Sequence, residues 1–263
     1  MTDRPPYPRA PLALVVLEVR HPHAPELDAD ATRALKSALS NHAPILKTSE
    51  VVEVELPAGS RRVTSFPKLV ARDKRTNVSF KSDSFTIETT HYRGWQHFRT
   101  LVRDVAAVLK QVAPVDGVER IGLRYIDEVR VPDASPVDWS RWISRSLLGP
   151  SDQSTAAGLS TRQQQCTIQY NYNADPNRSY TLRYGSGTGQ MFQSNSDLIR
   201  ASATPADEFF LIDTDGAWSD ASGGIPEFRV DELIAECDRI HAPIKDLFES
   251  LITDDLRKVF DDE

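Results

Sequence analysis

The densest run of reactive side chains is His91-Tyr92-Arg93-Gly94-Trp95-Gln96-His97. It sits where a strand signal passes into a helix signal. Free N–H groups at a helix start favour negative charge, and an imidazole beside a guanidinium there suits a phosphate or carboxylate. His91, Arg93 and Trp95 are therefore candidate ligand-binding residues. His91 and His97 do not have the i, i+4 spacing that places two metal ligands on one helical face. The bland alternative is a structural corner, in which Gly94 turns the chain, Trp95 packs and the histidines are solvated. Arg124, in Ile121-Gly-Leu-Arg-Tyr-Ile126, is the fourth candidate. Strand alternation puts Arg124 and Ile126 on one side, Tyr125 and Asp127 on the other. An unpaired guanidinium inside a sheet is costly, so Arg124 either clamps an anion or pairs with a carboxylate such as Glu88 or Asp213.

Arg61, Arg62, Lys68, Arg72, Lys74 and Arg75 form a basic cluster across one expected hairpin, with Phe66 among them. Such a cluster can contact nucleic acid, although a solvated hairpin is the simpler reading in an acidic protein. Asp213, Asp215, Asp220 and Glu227 do not follow the spacing of a known metal loop. Gly185-Ser-Gly-Thr-Gly189 lacks the Lys-Ser/Thr of a phosphate-binding loop and reads as a turn. No catalytic constellation, metal site or cofactor motif emerges, and none is expected.

The composition narrows the class. The chain has 263 residues, 40% hydrophobic and 26% charged, with a net charge of −7. That balance fits a globular protein with a sizeable core. It argues against binding nucleic acid or an anionic membrane over the whole surface. The two cysteines, Cys166 and Cys237, form no zinc-type cluster. The polar, Pro-rich start is unlike a signal peptide, and the apolar stretch from Pro11 to Val19 is too short to span a bilayer. The expectation is a cytoplasmic protein that does not engage membranes.

Positioning elements follow from periodicity. Leu12–Arg20 reads as a buried strand and Ala24–Leu39 as an amphipathic helix. Short strands follow around 51–56, 62–72, 78–80 and 85–89, then a helix over Trp95–Val112 with one apolar stripe. The order then restarts: a strand over 121–131, a helix over Val137–Leu148, a polar loop to Arg162, strands at 166–172, 179–184 and 209–213, and a long helix from Val230 to Phe260. Pro243 should kink that last helix, and Thr253 should cap a fresh start. Glu18-Val19-Arg20 resembles Glu128-Val129-Arg130, and Phe85-Thr-Ile-Glu-Thr89 resembles Phe210-Leu-Ile-Asp-Thr214. The expected fold is α+β, with two tandem related halves, residues 1–116 and 117–263. Each half runs strand, helix, antiparallel strands, helix, with the helices on one face of the sheet. The groove between the halves is the default ligand site.

Several segments together resemble a family of sporadically distributed bacterial proteins of unknown function. These are Tyr7-Pro-Arg-Ala-Pro11, Tyr92-Arg-Gly-Trp-Gln-His-Phe98, Ile121-Gly-Leu-Arg-Tyr-Ile126, Phe210-Leu-Ile-Asp213 and Ser250-Leu-Ile-Thr-Asp-Asp-Leu256. In that family an Asn usually follows the Arg-Tyr-Ile run, where this chain has Asp127. The resemblance implies a bacterial cytoplasmic protein linked to mobile or defence-related genes, and no reaction. The leading functional expectation is a non-enzymatic protein-binding or regulatory protein. Its motivation is the wide apolar stripe of the C-terminal helix, which could meet a protein partner or a second copy of the chain. A sensor or enzyme for a small anionic ligand in the groove ranks second, and nucleic-acid contact through the 61–75 hairpin third.

Overall fold

The computed structural model of the chain describes residues 7–55, 60–133, 135–150, 158–159, 161–191, 193–200 and 208–261, with backbone only for 52–55 and 60–62. The strands are β1 (Leu12–Arg20), β2 (Ile45–Glu55), β3 (Ser60–Val70), β4 (Thr76–Phe80), β5 (Ser84–Thr89), β6 (Arg120–Val129), β7 (Cys166–Tyr172), β8 (Asp175–Thr188) and β9 (Glu208–Trp218). The helices are α1 (Ala29–Ala38), α2 (Trp95–Val112), α3 (Arg145–Leu148), α4 (Val230–Leu251) and α5 (Asp254–Asp261). All nine strands join one sheet in the order β2-β3-β4-β5-β1-β6-β9-β8-β7. Every pairing is antiparallel. The fold is thus α+β, with the two ribbons of strands joined at their centre through β1 and β6.

Alternation along the strands makes the two faces chemically different. Val15, Leu17 and Val19 of β1, Phe85 and Ile87 of β5, and Ile121, Leu123 and Tyr125 of β6 are buried under α1, α2 and the first part of α4. A second cluster gathers Val129, Phe210, Ile212, Leu182 and Tyr184 against the end of α4, α5 and the segment holding Trp139 and Trp142. The opposite face carries Glu18, Arg20, Arg124, Glu128, Arg183, Asp213 and Asp215. Segment 189–200 crosses this charged face. Arg200 Nη1 and the Met191 N–H both reach Glu128, at 2.5 and 3.1 Å. Further along, Asp197 pairs with Lys47 and Lys68, and the Ile199 N–H donates to the Lys74 carbonyl at 2.7 Å.

Several local expectations change for physical reasons. Helix α1 begins at Ala29, because the Asp28 carboxylate takes the N–H groups of Asp30 and Ala31 at 3.0 and 2.8 Å and so caps it there. The helix expected over Val137–Leu148 is replaced by a 3₁₀ turn at Trp139–Arg141 and the single-turn α3. Between these two turns, backbone groups bond to the α4–α5 junction and interrupt the helix: Ser144 N–H to Leu251 O at 2.9 Å, and Thr253 N–H to Trp142 O at 3.0 Å. The same pairing ends α4, and Thr253 Oγ1 accepts the Leu256 N–H at 3.3 Å to start α5, as its position in the sequence predicts. Helix α4 runs through Pro243. The Gly185–Thr188 run is the end of β8 rather than a turn. Its first glycine lies so close to the Gln164 backbone that a Cβ would sit 1.9 Å from the Gln164 carbonyl oxygen. The hairpin turn before β8 falls at Asn173 and Ala174, both at positive φ, so β8 starts at Asp175, ahead of the strand expected over 179–184. Within the 149–162 loop, residues 151–157 and 160 lie outside the described residues, as do 56–59 between β2 and β3.

Among the described residues no helix is long and apolar enough to cross a membrane.

Candidate functional site

Where the two apolar clusters meet, the helix-covered face is not filled. A cavity of ≈130 Å³ lies there. That is close to the roughly 150 Å³ known to hold a benzene-sized ring. Its floor is Tyr125 and Asp127 of β6 with Thr214 of β9; its walls are Trp95 at the start of α2, His241 and Phe248 of α4, and Tyr7 of the opening segment. A register shift between Leu12 and Leu14, where β1 meets Asp127 and Ile126, loosens the strand edge beside this floor.

The aromatic walls are fixed by their own bonds. The Trp95 ring stacks on His241, with centroids 4.2 Å apart and planes 11° off parallel. Its indole N–H donates to Asp238 Oδ1 at 2.8 Å, and the same carboxylate receives a forked bond from Arg99. The Tyr125 hydroxyl lies 3.1 Å from His241 Nδ1 and 3.2 Å from the Tyr92 hydroxyl. Tyr92 meets Tyr125 edge to face at 5.5 Å. Tyr7 donates to Glu249 at 3.0 Å. Such locked rings present a preformed surface, which lowers the ordering cost of binding.

Asp127 is the exception. Its residue is only 7% exposed. Among the described residues it has no side-chain hydrogen bond or ion pair, while every other buried acid of the sheet has one. Asp213 takes two bonds from Arg124, at 2.7 and 2.6 Å, and Glu128 holds Arg130 and Arg200. Burial first, and the nearby Asp213 charge second, push the Asp127 carboxyl from its ordinary 3.8 up to about 8. A buried acid of this kind in a concave site marks a functional candidate.

The expected site residues are divided by the fold. Trp95 lines the junction cavity. His91 and Arg93 face a different hollow, formed wholly by residues of the first half. Arg124 points to the charged face and is held by Asp213, one of the two carboxylates named for it. The structure therefore brings His91 and Arg93 together and leaves Trp95 and Arg124 apart from them. Of the basic hairpin, Lys68 is engaged by Asp197 at 3.8 Å and Arg72 is exposed near His91. Lys74 and Arg75 form the turn beside it, and the side chains of Arg61 and Arg62 lie outside the described residues. Among the described residues no group of His, Cys, Asp or Glu could hold a metal ion. The apolar stripe of α4 that suggested a partner is covered by the sheet: Leu233, Ile234, Cys237, Ile240 and Ile244 are all buried in the first cluster.

Sequence reasoning missed Asp127, His241 and Tyr7 as site residues. A signal for Asp127 was present: alternation assigns it to the Tyr125 side, and an acid on the covered face of a central strand needs a reason. No comparable signal marks His241, whose place depends on how α4 docks. No family model matches this chain and no curated protein matches it, so the use of the junction pocket is argued from its own residues.

Proposed function

We propose that this chain is a regulatory binding protein for a compact organic cation, held in the aromatic pocket between the two halves with Asp127 as counter-charge. The observation that carries this is a buried carboxyl with no partner among the described residues, on the floor of a pocket lined by Tyr92, Trp95, Tyr125 and Phe248. Aromatic faces attract a cation through their quadrupoles, and a desolvated pair with a carboxylate adds hydrogen bonds to that attraction. An empty site of this composition keeps the carboxyl neutral at pH 7; an arriving ammonium or amidinium stabilises its ionised form and displaces its proton. Affinity should therefore rise with pH until Asp127 ionises without help, near its raised value of about 8.

Calorimetric titration with benzamidine, against benzamide as its uncharged counterpart, tests this. Benzamidine is expected to bind at least about tenfold more tightly than benzamide, and Asp127→Asn to remove about that factor. Equal binding of the two probes, or an Asp127→Asn protein that binds benzamidine like the wild type, would refute the reading.

We also infer that the two halves arose by duplication. Val19 pairs with Phe85 in β1–β5, and Val129 pairs with Phe210 in β6–β9. These are the residues that the two short sequence matches equate, so both matches share one register. Arg20 bonds to Glu18 at 2.8 Å and Arg130 to Glu128 at 3.0 Å, each two residues back along its strand. Relatives whose halves align better in any other register would contradict this origin.

A further inference from the structure

We infer that the first half carries a second, separate binding site, which takes a compact multiply charged oxyanion of the phosphate class between Arg72 and Arg93. The site is a hollow of ≈370 Å³ bordered by the loop after α1, the β3–β4 turn and the first turn of α2. His42, Arg72, Asp73, His91, Arg93 and His97 supply its charged and titratable lining. Cations that face one another in a protein are normally neutralised by carboxylates. Here that balance is incomplete. His42 is taken by Asp104 at 2.8 Å, and Asp73 lies 3.8 Å from His91. The Arg93 guanidinium donates to the His97 imidazole at 2.8 Å, a partner with no negative charge. Arg72 has no ion pair or side-chain hydrogen bond among the described residues.

Arg72 and Arg93 thus border one concavity, and among the described residues neither is paired with a carboxylate. The start of α2 adds to the positive field: Gly94, held at φ 98°, caps the helix without a side-chain acceptor, so nothing on the cap offsets the dipole. His97 registers that field. Burial first, then the charges of Arg93, His42 and His91, hold its pKa below 6.5. A tetrahedral oxyanion offers several acceptor oxygens, and two guanidinium forks match it better than a single carboxylate. Its arrival would reverse the field at His97 and raise its pKa, so binding takes up a proton below neutral pH.

The test is a titration of the full chain with inorganic phosphate, pyrophosphate and citrate, followed by the imidazole resonances of His42, His91 and His97. Phosphate or pyrophosphate is expected to bind with a Kd of about 1 mM or tighter, to weaken as salt is raised, and to move the His97 titration upward. Arg93→Gln and Arg72→Gln should each weaken binding at least about tenfold. Citrate binding as tightly as pyrophosphate would overturn the phosphate class. No binding by any of the three, or binding unchanged in both arginine variants, would overturn the site. Asp127→Asn should leave this binding intact, which separates it from the cation pocket.

Discussion

Asp127→Asn is expected to make the protein more stable at pH 8 while it weakens cation binding about tenfold. The carboxyl has a folded pKa of about 8, above its ordinary 3.8. Between these values the unfolded chain releases a proton that the folded chain retains, so the native state binds more protons and stability falls as pH rises. The penalty is absent below the ordinary value, grows across the interval and is complete above about pH 8. At about 1.4 kcal/mol per pH unit the full interval corresponds to roughly 6 kcal/mol; water entering the pocket mouth reduces this, and a gain of about 2–4 kcal/mol is expected. Asn has nearly the same shape and cannot ionise. Urea unfolding of both proteins from pH 4 to pH 9 would show curves that coincide at the acidic end and diverge upward. A constant difference across the range would mean that Asp127 titrates normally, and the counter-charge argument would fall with it. A residue that costs stability at its own site is what a binding site of this kind predicts.

Glu128→Ala should have the largest effect in the opposite direction. The Glu128 side chain is fully buried and joins Arg130 of its own strand end to Arg200 and the Met191 N–H of the crossing segment. Truncation leaves two guanidiniums under the segment without their carboxylate, a loss of about 3–5 kcal/mol. In a chain of this size that is roughly 10 °C of Tm. Burial alone would raise the Glu128 pKa, but the hydrogen bonds from Arg200 and Arg130 outweigh it and hold the group below 4.5. Its contribution is therefore present above the ordinary value and disappears as pH falls through the lowered one. The penalty of Glu128→Gln, compared with wild type, should shrink in acid. Limited proteolysis gives the second readout: cleavage within 189–200 should accelerate in Glu128→Ala. If the segment stays protected and Tm hardly moves, Glu128 does not anchor it.

Strand β5 could be read directly from its alternation of buried and polar residues, and β1, β6 and the first part of β9 from their short apolar, β-branched and aromatic runs, which are legible whatever packs on top. Helix α2 was equally legible, since Phe98, Leu101, Val102, Val105 and Leu109 repeat on one stripe and all are buried. The α4–α5 break was signalled by Thr253 and its following acids. The 137–148 segment misled because Trp139, Trp142, Ile143 and Leu147 have helical spacing, while their backbone partners come from residues 251–253, more than a hundred positions away. The candidate site was harder to read. Trp95 and Tyr125 belong to segments that stood out, but nothing local reveals that His241 stacks on the one and bonds to the other.

The amino-acid order by itself determined most of the elements and the side of each strand on which a residue stands, because these depend on neighbours a few positions apart; it left Arg124 two carboxylates, and the fold chose Asp213. Only the tertiary structure decided that β1 and β6 join the two ribbons into one sheet, that α4 spends its apolar stripe on that sheet, and that an unpaired Asp127 faces an aromatic pocket while His91 and Arg93 face another. Those outcomes depend on contacts between distant segments, whose geometry is set by how whole faces pack and not by any local period.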